Sequence, residues 1–336
     1  MKKSIAVLLV LVLLGSMLVA FGSSAESPKQ SRETPITIKI GTNHSSGTSV
    51  ALSCQKFADL VAQKTGGGIK IDVFADGTLG SETELRDLVA TGTIQMAALG
   101  AGVYGSYVPA ANLPVSNFVF KDEEVMLKVL NGELGKKYIN DPVEEVAGIH
   151  TLYGWPQAPR QLLTKKPVNS LADIKGMKIR VPAGNKLYTD TWNSYGSLAI
   201  ALSMNEVYTA LEQGVIDGLE MPIDSLYTAG YHEVAKHLTL TNHMMYVQYI
   251  MINANFWKTL SAEEQEAFNE AAVEAGEYHN NLRDKNIETM VSAMKDKGVT
   301  VVEIDNTEWI EATVPVNNQW MDNWGQEVYD AFTGAN

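Results

Sequence analysis

Ser170-Leu-Ala-Asp-Ile-Lys-Gly-Met-Lys-Ile-Arg-Val-Pro182, followed by Asn205-Glu-Val-Tyr-Thr-Ala-Leu-Glu-Gln-Gly-Val-Ile-Asp-Gly-Leu-Glu-Met-Pro222, is the stretch on which the fold turns. Met177, Ile179 and Val181 alternate with Lys178 and Arg180, the two-residue period of a half-buried strand. Pro182 has no N–H for a sheet ladder and marks the strand's end. Arg180 therefore stands at a strand's carboxyl end, where open α/β sheets hold their ligands. An arginine there has two readings, a ligand clamp or a solvated cation paired with a nearby carboxylate. The second run reads as a helix capped by Asn205 and stopped at Gly214, then a turn at Asp217-Gly218 and an extended segment to Pro222.

Upstream the pattern is βαβαβ. Ile36, Ile38 and Ile40 alternate with polar residues and predict a first strand, which ends in the loop Gly41-Thr42-Asn43-His44. A helix follows from Thr48 to Lys64 and stops at Gly66-Gly67-Gly68. Ile69–Phe74 is a second strand. Ser81-Glu82-Thr83-Glu84 is a capping box opening a second helix, and 94–99 is a third strand. That order implies a parallel, doubly wound sheet. Gly77-Thr78-Leu79-Gly80 is not a phosphate loop: it lacks the lysine ending, and Glu82 and Glu84 would repel phosphate. Downstream, Ile149–Gly154 reads as a strand. Trp155-Pro156-Gln157-Ala158-Pro159-Arg160 reads as a crossover, 244–253 as a return crossing, and Ser261–Lys297 as one long helix opened by a second capping box.

The 336 residues suit two domains, and the formal charge of −13 excludes nucleic acid and anionic membranes as natural partners. Lys2 and Lys3, the apolar run Ile5–Leu14 and the small residues Ser23-Ser24-Ala25 predict a targeting segment cleaved after Ala25, so that the exported chain carries 24 − 39 = −15. The lone cysteine, Cys54, lies on an apolar helix face and permits no internal disulfide. No nucleophile–base constellation, metal-binding spacing or cofactor motif is legible, and an enzyme is not expected.

Two runs in the opening stretch resemble the signature of the solute-binding proteins of TRAP (tripartite ATP-independent periplasmic) transporters, the DctP type. Asp173, Lys175, Gly176, Lys178 and Arg180 match the first run. Glu206, Tyr208, Ala210, Leu211, Gly214, Asp217 and Gly218 match the second. Phe57-Ala58-Asp59-Leu60-Val61 and Gly77-Thr78-Leu79-Gly80 match the family's opening, so the resemblance covers 36–330. It implies an α/β, two-lobed periplasmic binding protein fold with a ligand cleft between the lobes and a long helix spanning both. The expected organisation is a signal peptide over 1–25 and a flexible leader over 26–35. Lobe I takes 36–157 plus 247–286, and lobe II takes 158–246 plus 287–330.

The resemblance further implies that Arg180 clamps a substrate carboxylate and that Arg160 is a second ligand contact, an interlobe salt bridge being the other reading for Arg160. Met221 stands where the family carries a ligand-touching asparagine. Met204 stands where sialate-binding members carry phenylalanine, and Gly100 where they carry an acidic residue. These departures argue against sialate. Asn43, His44, Tyr104, Trp155 and Tyr246 are expected to line the cleft with Met204 and Met221, though both methionines also read as core. The expectation is a periplasmic monomer that binds a small organic acid, a monocarboxylate or sugar acid such as a uronate or aldonate, and delivers it to TRAP membrane permease subunits. A C4-dicarboxylate ligand, or service to an ABC importer or a sensor kinase, is the alternative.

Overall fold

The computed structural model describes Arg32 and residues 34–334. The expected signal peptide, its cleavage after Ala25 and most of the leader lie outside the described residues. The described strands are β1 (Ile36–Gly41), β2 (Ile69–Phe74), β3 (Met96–Gly100), β4 (Ile149–Pro156), β5 (Arg160–Thr164), β6 (Lys178–Pro182), β7 (Leu198–Leu202), β8 (Gly218–Pro222), β9 (His237–Met244), β10 (Val247–Asn253) and β11 (Thr300–Glu303). They form two sheets, ordered β2-β1-β3-β10-β4 and β11-β9-β5-β8-β6-β7. In the first, β1 runs parallel to β2 and β3, as the βαβαβ pattern requires, and β10 adds antiparallel to β3 and β4. In the second, β6 runs parallel to β7 and β8, while β5 is antiparallel to β8 and β9.

The helices that position the site are α1 (Ser49–Lys64), α2 (Glu82–Ala90), α3 (Lys186–Ser194), α4 (Ile223–Thr228), α5 (Ala262–Asp296) and α6 (Thr307–Trp324). Thr48 caps α1, and Ser81 with Glu84 forms the expected box on α2. Ser203, rather than Asn205, opens the helical run after β7, because Glu206 stands three residues on and bonds back to the Ser203 N–H (3.0 Å). The chain passes between the sheets at 157–159 and 245–246. Arg160 starts β5 instead of ending a crossover, since its segment finds a ladder partner on each side.

Helix α5 is the third link. Its first half buries Phe268, Ala271, Ala272 and Ala275 in the core beneath the first sheet, and its second half packs Ile287, Met290, Val291 and Met294 against the second. At 1.5 Å per residue its 35 residues reach about 50 Å, enough to brace both lobes. Helix α6 joins both lobes as well. Ser116 donates to Asn317 (2.7 Å) on one side, and Trp320 Nε1 donates to Asp190 (3.0 Å) on the other. No helix among the described residues is long and apolar enough to cross a membrane.

His279 sits at the middle of α5, stacked on Trp155. Its Nε2 donates to the Pro156 carbonyl (2.9 Å), and its Nδ1 faces Ser53 Oγ (3.4 Å). Burial pushes its pKa down to about 4, against an opposing pull from Asp224. The unfolded chain binds this proton below pH 6.5 and the folded chain only below about 4. The folded state should therefore lose stability as pH falls through that window, by about 3 kcal/mol from this group. Chemical denaturation from pH 7 to pH 4 should show the loss, and His279→Gln should flatten it.

Candidate functional site

A cavity lies between the carboxyl ends of the parallel strands of the two sheets. Asn43 and His44 enter it from the loop after β1, and Gly100, Gly102 and Val103 from the end of β3 and the 3₁₀ turn behind it. Glu82 and Thr83 come from the start of α2. The second sheet supplies Arg160, Arg180, Pro182, Asn185, Tyr188, Met204, Met221 and Ser225, and the crossing supplies Tyr246. Hydrogen bonds near the cavity tie the lobes to one another. Asn185 Nδ2 donates to the Gly102 carbonyl (2.9 Å), and Ser49 Oγ donates to Asp224 Oδ2 (2.7 Å).

Arg180 is 3% exposed. Its Nε and Nη2 donate to the Leu202 carbonyl (3.0 and 2.8 Å), which fixes the plane of the guanidinium, and its Nη1 has no partner. Burial works against its charge, and so does neighbouring Arg160, while Glu220 and Glu82 support it. The cation thus offers a forked, desolvated edge suited to a carboxylate.

Arg160 behaves differently. Its Nε and Nη2 both donate to the Glu220 carboxylate, Nη2 also reaching the Glu220 carbonyl (2.8 Å). The pair is buried on adjacent strands β5 and β8, so the salt bridge is within one lobe and not between lobes. The Arg160 ring partner is Tyr246, 5.2 Å from its guanidinium carbon. Burial opposes both charges. Even so, the pair holds Arg160 above its ordinary range and brings Glu220 down to about 2, helped by His243 (3.2 Å from Oε2). His243 itself is held neutral by burial, its Nδ1 bonded to Thr241 (2.7 Å).

Seven of the nine residues expected in the cleft stand on the cavity wall: Asn43, His44, Arg160, Arg180, Met204, Met221 and Tyr246. Tyr104 and Trp155 do not. The 3₁₀ turn that brings Gly102 and Val103 to the cavity rotates Tyr104 into the core, where it stacks on Tyr249 (5.2 Å) and bonds Thr151 (2.7 Å). Trp155 faces α5 and donates to the Ala272 carbonyl (2.8 Å). Met204 is a wall residue held by Asn43 Nδ2 (3.6 Å).

Glu82, Asn185, Tyr188 and Ser225 were not expected there. The signal for Glu82 lay in the capping box: Glu84 alone completes the box, leaving Glu82 free to turn inward. Gly100 itself brings no acid to the cavity; the acid beside it is Glu82, whose Oε1 accepts from the Gly100 N–H (3.0 Å). A Cβ there would crowd that oxygen (3.2 Å) and Tyr246 Cε2 (3.2 Å), so glycine leaves both side chains their present positions. Gly102 likewise clears the Tyr188 hydroxyl, which a Cβ would meet at 2.7 Å. No group of three or more histidine, cysteine, aspartate or glutamate side chains suited to a metal ion exists among the described residues.

The profile of the bacterial extracellular solute-binding proteins of family 7, DctP, matches residues 40–323. The 2,3-diketo-L-gulonate-binding periplasmic protein of Escherichia coli is 31% identical over 87% of this chain and 88% of its own length. The C4-dicarboxylate-binding periplasmic protein of Rhodobacter capsulatus is 27% identical over 96% and 98%. A crystal structure of a TRAP periplasmic solute-binding protein from Roseobacter denitrificans, with bound β-D-glucuronate, superposes with a TM-score of 0.85 at 32% identity. It covers 90% of this chain and 100% of that one.

The buried pair makes a direct expectation. Glu220→Gln should leave Arg160 charged, buried and unpaired beside Arg180, and should cost about 3–5 kcal/mol of unfolding free energy. Urea titration checks this, and the double variant Arg160→Met with Glu220→Leu should recover most of the loss.

Proposed function

The chain belongs to the bacterial extracellular solute-binding proteins of family 7, and on that premise we propose that it is an exported receptor that captures a sugar acid, a uronate or an aldonate, in the cavity between its lobes. It delivers that acid to the membrane permease of a TRAP transporter and turns nothing over. The observation that carries the reading is Arg180. A guanidinium 3% exposed, anchored on one edge and unpartnered at Nη1, sits on the cavity wall at the carboxyl end of β6. It forms a charge-assisted pair with the ligand carboxylate, and Arg160, steadied by Glu220, supplies a donor from its remaining edge.

The two lobes, 36–157 with 247–286 and 158–246 with 287–330, are the bodies that open and close. Cleavage after Ala25 releases the protein into the periplasm as a monomer. Closure couples to ligand because an acid held by Arg180 on one lobe and by Asn43 and His44 on the other makes all of those contacts only when the lobes meet, so it binds the closed form more tightly than the open one. Glu220 offsets the repulsion between Arg160 and Arg180, which leaves Arg180 as the cation that a ligand must satisfy.

A thermal-shift screen against uronates, aldonates, dicarboxylates and 2-oxo acids tests the function, using protein unfolded and refolded to strip carried-over ligand. A sugar acid at about a hundred times its dissociation constant should stabilise the fold by about 2.7 kcal/mol. Arg180→Ala should abolish that shift, a loss of about 2–5 kcal/mol in binding. A shift from wild type that Arg180→Ala preserves would remove the clamp.

A further inference from the structure

The polar atoms on the cavity wall that lack a partner are not spread evenly in kind. Arg180 Nη1 is a cationic donor. Asn43 Oδ1, His44 Nδ1 and Ser225 Oγ are neutral, all buried and all unpartnered. His44 is kept neutral chiefly by burial, against the pull of Asp224. Arg160 lies within electrostatic reach of both His44 and Arg180. Two carboxylates complete the wall's charge. Glu220 is consumed by Arg160. Glu82, half-buried, spends one oxygen on the Gly100 N–H and stands near Arg180 without an ion pair to it; burial pushes its pKa up, against the Gly100 N–H, Arg180 and Arg160, which favour its charge.

We propose that Glu82 is a specificity-determining residue that restricts the cavity to acids with one carboxylate, while Asn43, His44 and Ser225 read the hydroxyls of the same ligand. Among the described residues on the cavity wall, Arg180 is the cation not already committed to a carboxylate. A first ligand carboxylate takes it. A second carboxylate has no cation left unless it displaces Glu220 from Arg160, and it would enter a desolvated space that already holds Glu82. Like charges brought together in such surroundings are strongly disfavoured. Hydroxyls meet the opposite situation, because a buried Asn oxygen, a Ser hydroxyl and a neutral imidazole nitrogen each lack a hydrogen bond that a polyol completes. The family alone does not draw this distinction, since its members include a C4-dicarboxylate binder and a diketogulonate binder.

The inference rests on the sugar-acid reading, and its test separates the two. D-gluconate and D-glucarate differ only at C6, a hydroxymethyl group in one and a carboxylate in the other, as do D-galactonate and galactarate. Isothermal titration of the stripped wild-type protein with these four acids, D-glucuronate, D-galacturonate, succinate and L-malate is the experiment. The best monocarboxylate should bind about 100-fold more tightly than the matching aldarate. Glu82→Gln keeps the acceptor for Gly100 and should narrow that ratio to about tenfold or less by strengthening the aldarate. Ser225→Ala should weaken the sugar acid about tenfold and leave the ratio unchanged.

A wild-type aldarate within about threefold of its monocarboxylate partner overturns the proposal, as does tighter binding of succinate or L-malate than of any sugar acid. An unchanged ratio in a Glu82→Gln variant with wild-type circular dichroism also overturns it. Should that variant not fold, the wild-type ratio decides alone. Binding of these acids that Arg180→Ala abolishes, with a flat ratio, removes only the role of Glu82. No binding of any acid removes the sugar-acid function itself.

Discussion

The ion pair between Arg160 and Glu220 is the constraint around which the site is arranged. Both groups are buried, on neighbouring antiparallel strands, and each offsets the cost of burying the other's charge. Together they do three things. They fix the start of β5 against the end of β8, where the chain has just crossed between the sheets. They hold His243 by its ring, and through it Thr241 on β9. They also remove Arg160 from the free positive charge of the cavity, so that an anion is sensed by Arg180. Replacing Glu220 by an apolar residue of similar size would leave two buried arginines facing the same space, and the distinction between clamp and scaffold would vanish.

What the sequence made legible follows from what its patterns encode. The period-2 runs at 36–40 and 177–181 and the capping boxes at Ser81 and Ser261 report local backbone choices, and the structure has strands and helix starts there. The segments read less well are those whose conformation depends on a distant partner. β5 is a strand because β8 and β9 flank it, and nothing in Arg160–Thr164 announces that. β7, with residues that alternate only weakly in burial, is held by β6. In the site, Asn43 and His44 in the loop after β1 and Arg180 within β6 stand on the cavity wall as their positions along the strands led one to expect. Tyr104 and Trp155 were misplaced because aromatic character does not say which way a turn or a pleat points. Glu82 was hidden in a motif that already had a complete structural explanation.

Three connections tie the two sheets: two short crossings and α5. The crossings bond to each other, the Gln157 N–H to the Tyr246 carbonyl (2.9 Å), and α5 touches them through His279 and through Arg283, whose Nη1 donates to the Pro156 carbonyl (3.0 Å). The same arginine pairs with Glu123 (2.6 Å), tying the helix to the first lobe's flank. Polar groups of both crossings and of α5 meet at this seam, and Tyr246 carries it directly to the guanidinium of Arg160.

The chain is acidic overall, yet its cavity is built for an anion. The two facts are compatible because they act over different distances. Surface carboxylates farther than about 8 Å from the mouth are screened at physiological ionic strength. At the cavity wall the charges of Arg180, Arg160, Glu220 and Glu82 interact through a lower dielectric than that of water. A net negative surface slows the approach of an acid and adds nothing to holding it, so retention rests on the groups of the cavity wall. Specificity in such a site comes from which of its charges are already matched. With Glu220 matched to Arg160 and Glu82 left unmatched beside Arg180, the balance favours one carboxylate at a time.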